Sequence, residues 1–483
     1  MRTSQEYFES IKKLKPNVYI GGKLVERDDP RLMNGVNIIR TTFDLAADPQ
    51  YADLMTATSH LTGKTINRFN HIHQSVDDLM KKQEMTRMLC HKVAGCTQRC
   101  MGIDAANALS VATREIDEAY GTEYYARFLK WLEWFQENDI VATCAQTDVK
   151  GDRAKRPHEQ ADPDMYVHVV EKRDDGIIVR GAKNHITISA YTEEIIVVPT
   201  RVMGPKDADY AVAFAIPADT EGVKLVTRVS SPPARKIFKV ERQHGNADSF
   251  VIFENVFVPW ERVFMCGEYK FAGRLALLFA LFHRHSYTGC KPAMTDILMG
   301  LGALVADYNG VGKAPHVRDK LADMIATAEL VYGAGIASAV KSKKALSGTQ
   351  VPDEVFANVG RYHAGVNLFH EYDIVADLAG GLPATIPPEE DFTSPETGEL
   401  MNKYIMRNPE ISAENQHRLF RLLSDTLVSG HTGIFQVGGL HGGGSPVMEK
   451  IAIMGNYDME GKKRIVKNLA GIVDEPKAVE IKE

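Results

Sequence analysis

Apolar residues change their spacing twice along the chain. Up to about residue 140 they recur at three- and four-residue steps, the spacing that keeps one helix face apolar. That pattern predicts helices over 65–85, 86–110 and 124–138, the last carrying WLEWF on its face. From about 141 to 265 the period shortens toward two, as in strands whose side chains alternate between faces. MYVHVVEKRDDGIIVRGAKNHITIS predicts a hairpin turning at Asp174, Asp175 and Gly176. EEIIVVPTRV, DYAVAFAIPA, GVKLVTRV and DSFVIFENVFVP are further strand candidates, set off by Gly and Pro. From about 270 the helical period returns over 292–308, 316–346, 352–379 and 412–430, with glycine-rich breaks at AGGLPATIPP and GGLHGGGSP.

Helices, then strands, then helices is the order of an α+β multidomain protein, not the alternation of a doubly wound sheet. It divides the chain into 1–140, helical; 141–268, β; and 269–483, helical. Scattered Pro and Gly, with no low-complexity tract, predict units packed together rather than strung on linkers.

Composition narrows the function classes. An apolar share of 44% and a charged share of 25% exclude the disordered and fibrous classes. With 57 basic against 63 acidic residues, nothing electrostatic selects nucleic acid or an anionic membrane as partner. MRTSQEYFESIKKLKP has no apolar signal core, and runs such as LALLFALF are too short to span a bilayer, so a cytoplasmic location is expected. Six cysteines are too sparse for a disulfide framework in so long a chain. Grouped cysteines in a reducing compartment point instead to metal or redox chemistry.

Two stretches carry such groups. In AGCTQRCMGIDAANAL, Cys96 and Cys100 are four apart, which on a helix puts both thiols on one face. Two inert buried cysteines would look the same. Arg87 and Arg99 are near in sequence, and a cation beside a thiol favours the thiolate. In FHRHSYTGCKPAM, His283, Tyr287 and Cys290 stand at i, i+4 and i+7, with Gly289 and Pro292 among them. Proline predicts that the helix ends or kinks near 288–291 and restarts at Pro292. Residues seven apart on a helix are separated by about 10 Å, generous for one zinc ion but suited to a larger iron–sulfide cube. Spacing alone leaves that choice open, and His283 by itself reads equally as a satisfied core histidine.

DPQYADLM, GKTINRFNHIHQSVDDL, TDVKGDR, IVRGAKNHIT, FENVFVP, HRHSYTGCK, ADLAGGL and HGGGSP settle the resemblance. Over nearly its whole length the chain resembles the family that unites flavin-dependent 4-hydroxyphenylacetate 3-monooxygenases with 4-hydroxybutyryl-CoA dehydratases. Residues 181–187 and 253–263 also look like the acyl-CoA dehydrogenases. The resemblance implies an acyl-CoA dehydrogenase-like fold: a helical N-terminal domain, a central β-barrel and a C-terminal helical bundle, assembled as a homotetramer.

The resemblance also implies FAD and a [4Fe-4S] cluster held by Cys96, Cys100, Cys290 and His283. The implied reaction removes water across C3 and C4 of a 4-hydroxyacyl-CoA to give crotonyl-CoA, with vinylacetyl-CoA isomerase activity beside it. The C3 hydrogen is β to the thioester and not acidic, so a side-chain base alone is poorly matched to it. Taking the α proton and one electron first acidifies that hydrogen, and a flavin can lend and recover the electron. The alternative within the family is a two-component monooxygenase acting on a phenol.

By the same resemblance His283 is both iron ligand and base, and Tyr287 and Lys291 face the substrate. Gln98 lies in the active site. Thr187 and His185 lie on the flavin side, with the loop 146–153 (Gln146, Thr147, Asp148, Lys150, Asp152 and Arg153). Two positions depart from the dehydratases. Asp248 stands where they have glutamate, and so does Gly438, which leaves no carboxylate near the cluster histidine. His71, His73 and His285 are read as packing.

Overall fold

A computed structural model of the chain describes residues 1–231, 235–237 and 245–472. The stretches 232–234 and 238–244 of the predicted β unit and the tail 473–483 lie outside the described residues. The predicted hairpin is present: His168–Lys172 pairs antiparallel with Gly176–Thr187. The other four predicted strands appear as Glu194–Val197, Val212–Pro217, Val223–Ser230 and Asn246–Pro259.

These strands form two open sheets rather than the expected closed barrel. One has six strands, in the order Lys23–Val25, Val18–Ile20, Val223–Ser230, Asn246–Pro259, Gly176–Thr187, His168–Lys172. The other has four: Val263–Cys266, Val212–Pro217, Glu194–Val197 and Ala142–Ala145. They share one apolar core, in which Phe214 meets Phe253 edge to face across the sheets. Thr143 Oγ1 donates to Thr187 O at 2.6 Å, tying the edge of one sheet to the end of the other. Two strands of the larger sheet come from the N-terminal stretch read as helical, because three-residue strands carry too little alternation to announce themselves.

Three helix expectations need correction. Thr65–Asn67 is a strand, and the helix begins only at Val76, where the Ser75 side chain accepts from Asp78 N. That helix, Val76–Val93, stops at Ala94, which turns left-handed at φ 45°. A loop follows before Cys100–Tyr120, so 86–110 is two helices with a break between them.

The third concerns Pro292. The helix expected to stop there runs unbroken from Tyr269 to Tyr308. Proline costs a helix one donor, leaving the carbonyl four residues back unpaired. Here Gln83 Nε2 donates to Thr288 O at 3.1 Å and replaces the missing bond. Gly289 permits that approach, since a Cβ there would lie 2.3 Å from Gln83 O.

The long helix is the hub of the helical part. Val76–Val93, Cys100–Tyr120, Pro315–Val340 and Glu354–Ala379 all pack on it, and Pro446–Asn456 packs on the last of these. Among the described residues no helix is long and apolar enough to cross a membrane.

Candidate active site

The long helix carries His283 and Cys290 into a pocket closed by the Val76–Val93 and Cys100–Tyr120 helices. Cys100 opens its helix, while Cys96 sits in the loop before it rather than one turn earlier on the same helix. Gln98 shapes that loop with φ 61°, a strained value for a residue with a side chain. It is fully engaged: Tyr191 Oη donates to its Oε1 at 2.5 Å, and its Nε2 reaches Gly245 O and Asn246 Oδ1. It anchors the cysteine loop to the sheet.

The thiols neighbour one another. Cys96 and Cys100 interact, which pulls the Cys96 thiol down and pushes the Cys100 thiol up. Cys290 Sγ donates to Tyr287 O at 3.8 Å and lies beside a further cysteine, Cys90. The other two cysteines, Cys144 and Cys266, are buried in strands Ala142–Ala145 and Val263–Cys266. Neither neighbouring arginine serves the thiols. Arg99 Nη2 pairs with Asp139 at 2.7 Å, and Arg87 pairs with Asp296 and Glu329.

His283 is held on three sides. Phe279 stacks on its ring at 5.8 Å, Tyr287 stands edge-on at 6.2 Å, and Nδ1 lies 2.9 Å from Asp104 Oδ2. Asp104 is fully buried and receives three groups: Lys82 Nζ, His283 Nδ1 and Ser286 Oγ. Burial works against its charge, but Lys82 and His283 outweigh burial and hold the carboxyl below its usual range. An ionised Asp104 has no proton to give, so the hydrogen of that bond lies on Nδ1, and in the neutral ring this leaves the lone pair on Nε2. Donor atoms of Cys100, Asp104 and His283 lie within 4.8 Å of one another. Since Asp104 is already committed to three donors, the groups left for a metal are the thiols and Nε2.

Asp104 and Lys82 were not anticipated. The available signal was a lone carboxylate in the apolar helical run MGIDAANALSVA, one turn after Cys100. A buried charge there demands a partner.

Tyr287 and Lys291 do not reach into open space. Tyr287 Oη donates to Gly439 O at 2.8 Å beneath the Arg361 guanidinium, 4.2 Å from its ring centroid. Lys291 Nζ is buried against Glu371 Oε2 at 2.6 Å. The HGGGSP loop forms the facing wall. Arg361 donates to the carbonyls of Gly439, Leu440 and Gly442, and Arg284 to that of Gly443. A Cβ on Gly443 would stand 3.2 Å from His283 Cδ2, so the loop's lack of side chains lets it lie on the imidazole. Gly438 faces outward, and a Cβ there would meet nothing nearer than Ile434 Cγ2 at 3.9 Å. The glycine turned toward the pocket is Gly439, whose Cβ would be 3.6 Å from Tyr287 Oη.

The β side supplies a second group. Asp248 Oδ1 accepts from Thr187 Oγ1 at 2.6 Å, and burial raises the Asp248 carboxyl. Between Ser249 and Val251 the pairing slips, and His185, at φ 63°, is turned outward beside that slip. In the 146–153 loop, Gln146 Nε2 donates to Ala276 O of the long helix at 2.9 Å. Asp148 is sealed in an ion pair with Lys183 at 2.8 Å, and Asn184 N donates to Thr147 O. Lys150, Arg153 and His185 feel one another's charge at the surface, with Asp152 exposed alongside. Lys150 and Arg153 beside a strained strand end are cations that suit the diphosphate of a dinucleotide.

The chain as a whole matches a known family. Residues 3–265 match the model "4-hydroxyphenylacetate 3-hydroxylase N terminal" and 272–471 its C-terminal counterpart, so the chain belongs to that family. Within it, the chain is 41% identical to the 4-hydroxybutyryl-CoA dehydratase/vinylacetyl-CoA-Δ-isomerase of Clostridium aminobutyricum, over 98% of this chain and 100% of that protein. It is 29% identical to a 4-hydroxyphenylacetate 3-monooxygenase oxygenase component of Geobacillus, over 96% of each. Among solved structures, an oxygen-tolerant archaeal 4-hydroxybutyryl-CoA dehydratase from N. maritimus superposes with TM-score 0.94 at 36% identity, over 99% of this chain and 96% of that one. An oxygenase component of 4-hydroxyphenylacetate 3-monooxygenase complexed with FAD superposes with TM-score 0.85 at 25% identity, over 97% and 98%.

Proposed function

We propose that the chain is an FAD- and [4Fe-4S]-dependent dehydratase of a 4-hydroxyacyl-CoA, of the 4-hydroxybutyryl-CoA to crotonyl-CoA type, with vinylacetyl-CoA Δ-isomerase activity. The observation that carries this is the convergence of Cys96, Cys100, Cys290 and the free Nε2 of His283 in one pocket. A phenol monooxygenase has no use for that donor set. These four residues would hold the cluster, and Gln146, Thr147, Lys150, Arg153, His185 and Thr187 would line the flavin. A flavin supplies reversible one-electron chemistry, and a cluster iron supplies a Lewis acid for a departing hydroxyl.

The chain's own residues have defined tasks. Asp104 fixes the imidazole with Nδ1 protonated and stabilises the charge when Nε2 takes a proton. Lys82 keeps Asp104 ionised. The glycine wall and Phe279 exclude water from that imidazole. Asp248, carrying a raised pKa beside Thr187, can hold a proton on the flavin side.

The helix–sheet–helix order supports an acyl-CoA dehydrogenase-like architecture. Exposed apolar residues on two C-terminal helices, Val447, Ile451 and Met454 on one and Val466 and Leu469 on the other, suit a partner surface such as a homotetramer would supply. The decisive experiment is anaerobic purification followed by iron, acid-labile sulfide and flavin analysis, and assay with 4-hydroxybutyryl-CoA. Brown protein with about four irons per chain, bound FAD and crotonyl-CoA as product is expected. Iron-free yellow protein that consumes oxygen with reduced flavin and a phenol would overturn the reading in favour of the monooxygenase.

A further inference from the structure

Four positions are enough for a four-iron cube, yet the pocket offers a fifth donor. Cys90 lies three residues before the end of the Val76–Val93 helix, on the face that packs against the long helix. It is fully enclosed, lies beside Cys290, and is within electrostatic reach of Cys96 and Cys100. Two backbone features put it there. Gly289, the neighbour of Cys290, lets the Val76–Val93 helix approach so closely that a Cβ would be 3.1 Å from Thr86 Cβ, one turn before Cys90. The left-handed turn at Ala94, with Gly95 N donating back to Cys90 O at 3.2 Å, then folds the chain so that Cys96 re-enters the same pocket.

We infer that Cys90 is a reserve ligand for the cluster corner held by Cys290. This rests on the proposal that the pocket holds iron. Exchange needs no oxidant or reductant. The Cys90 S–H bond breaks and its sulfur binds iron, while the Cys290 sulfur leaves iron and takes the proton. The two thiols differ in access: Cys290 is partly exposed, Cys90 is not. An oxidant that reaches the pocket meets Cys290 before Cys90, and the reserve thiol keeps the corner occupied.

The test is iron and acid-labile sulfide content, with EPR of the reduced protein, in anaerobically purified full-length chains. Cys90→Ala should keep the wild-type iron content. Cys290→Ala should keep most of its iron with an altered EPR signal, and the double variant should lose most of it, by about tenfold against wild type. Iron lost already in Cys290→Ala, or retained in the double variant, overturns the reserve role. Thermal unfolding of each variant separates iron loss from misfolding: a cluster-free variant that still unfolds cooperatively counts against the inference or for it as above, and Cys290→Ser replaces any Cys290→Ala that does not. Wild-type protein without iron would overturn the cluster proposal itself and, with it, the inference.

Discussion

The two halves of the site handle charge in opposite ways. In the helical pocket two buried cations meet their counter-ions: Lys82 with Asp104, and Lys291 with Glu371. Beside those pairs stand the thiols and the second imidazole nitrogen of His283, donors suited to a soft cation. At the sheet edge the buried pair Asp148–Lys183 is likewise closed, but half-buried Lys150 and exposed Arg153 stand beside it as cations, next to His185, whose pKa burial lowers. Under the proposed function the helical half would hold a cationic centre and the sheet half would receive an anion, so that two cofactors would be brought together.

The largest effect is expected where the helical half is broken at its carboxylate. Asp104→Ala leaves Lys82 buried without its counter-ion, with Phe282 O still accepting from it, and breaking such a pair costs about 3–5 kcal/mol. It also frees the His283 ring, and loss of an orienting carboxylate lowers metal affinity by about 10–100-fold. Denaturant unfolding and iron content should both fall. Asp104→Asn, which keeps the shape, should recover part of the stability and little of the iron.

Next in size is acid sensitivity in the segment that carries the glycine wall. His431 is buried against Phe435, and burial depresses its pKa to about 4. The unfolded chain titrates near 6.5. Above pH 6.5 both states are neutral and stability is complete; between 6.5 and 4 only the unfolded state gains a proton, so stability falls as pH falls. The loss over that window is roughly 3 kcal/mol. Unfolding midpoints at pH 7 and 4.5 measure it, and His431→Leu should flatten its share of the slope.

Smaller still is the effect of stripping charge from the sheet edge. Lys150→Ala with Arg153→Ala should change unfolding by no more than about 0.5 kcal/mol, as surface changes do. Flavin affinity should weaken by about tenfold, about 1.4 kcal/mol, with iron content unchanged. A fall in iron as well would show that the two halves are not separate binding sites.

Much of this was legible in the sequence, and the failures share a cause. The six strands and the C-terminal helices follow from local period, while the four proposed donor residues follow from the family resemblance. The run through Pro292 did not, because the bond that rescues it comes from Gln83, some two hundred residues earlier in the chain. Asp104 and Cys90 were missed for the same reason. Each looks like one more core residue until the long helix brings Lys82 and His283 to the first and Cys290 to the second. The expected barrel failed differently: strand period predicts strands, and only pairing partners decide whether a sheet closes.

The smallest expected effect bears on the carboxylate this chain lacks. Gly438→Glu adds a side chain to an outward-facing, open position, so nothing must move to admit it. Replacing Gly in a helical turn also gains up to about 0.8 kcal/mol of helix propensity, so stability should hold or rise slightly. Turnover of 4-hydroxybutyryl-CoA should not change, because the neighbour that faces Tyr287 is Gly439, and Gly439 is packed against Leu368 with no room for a carboxylate. A tenfold gain in turnover would show that residue 438 turns inward during the reaction. It would then be the absent glutamate, rather than Asp248, that sets the rate on this substrate.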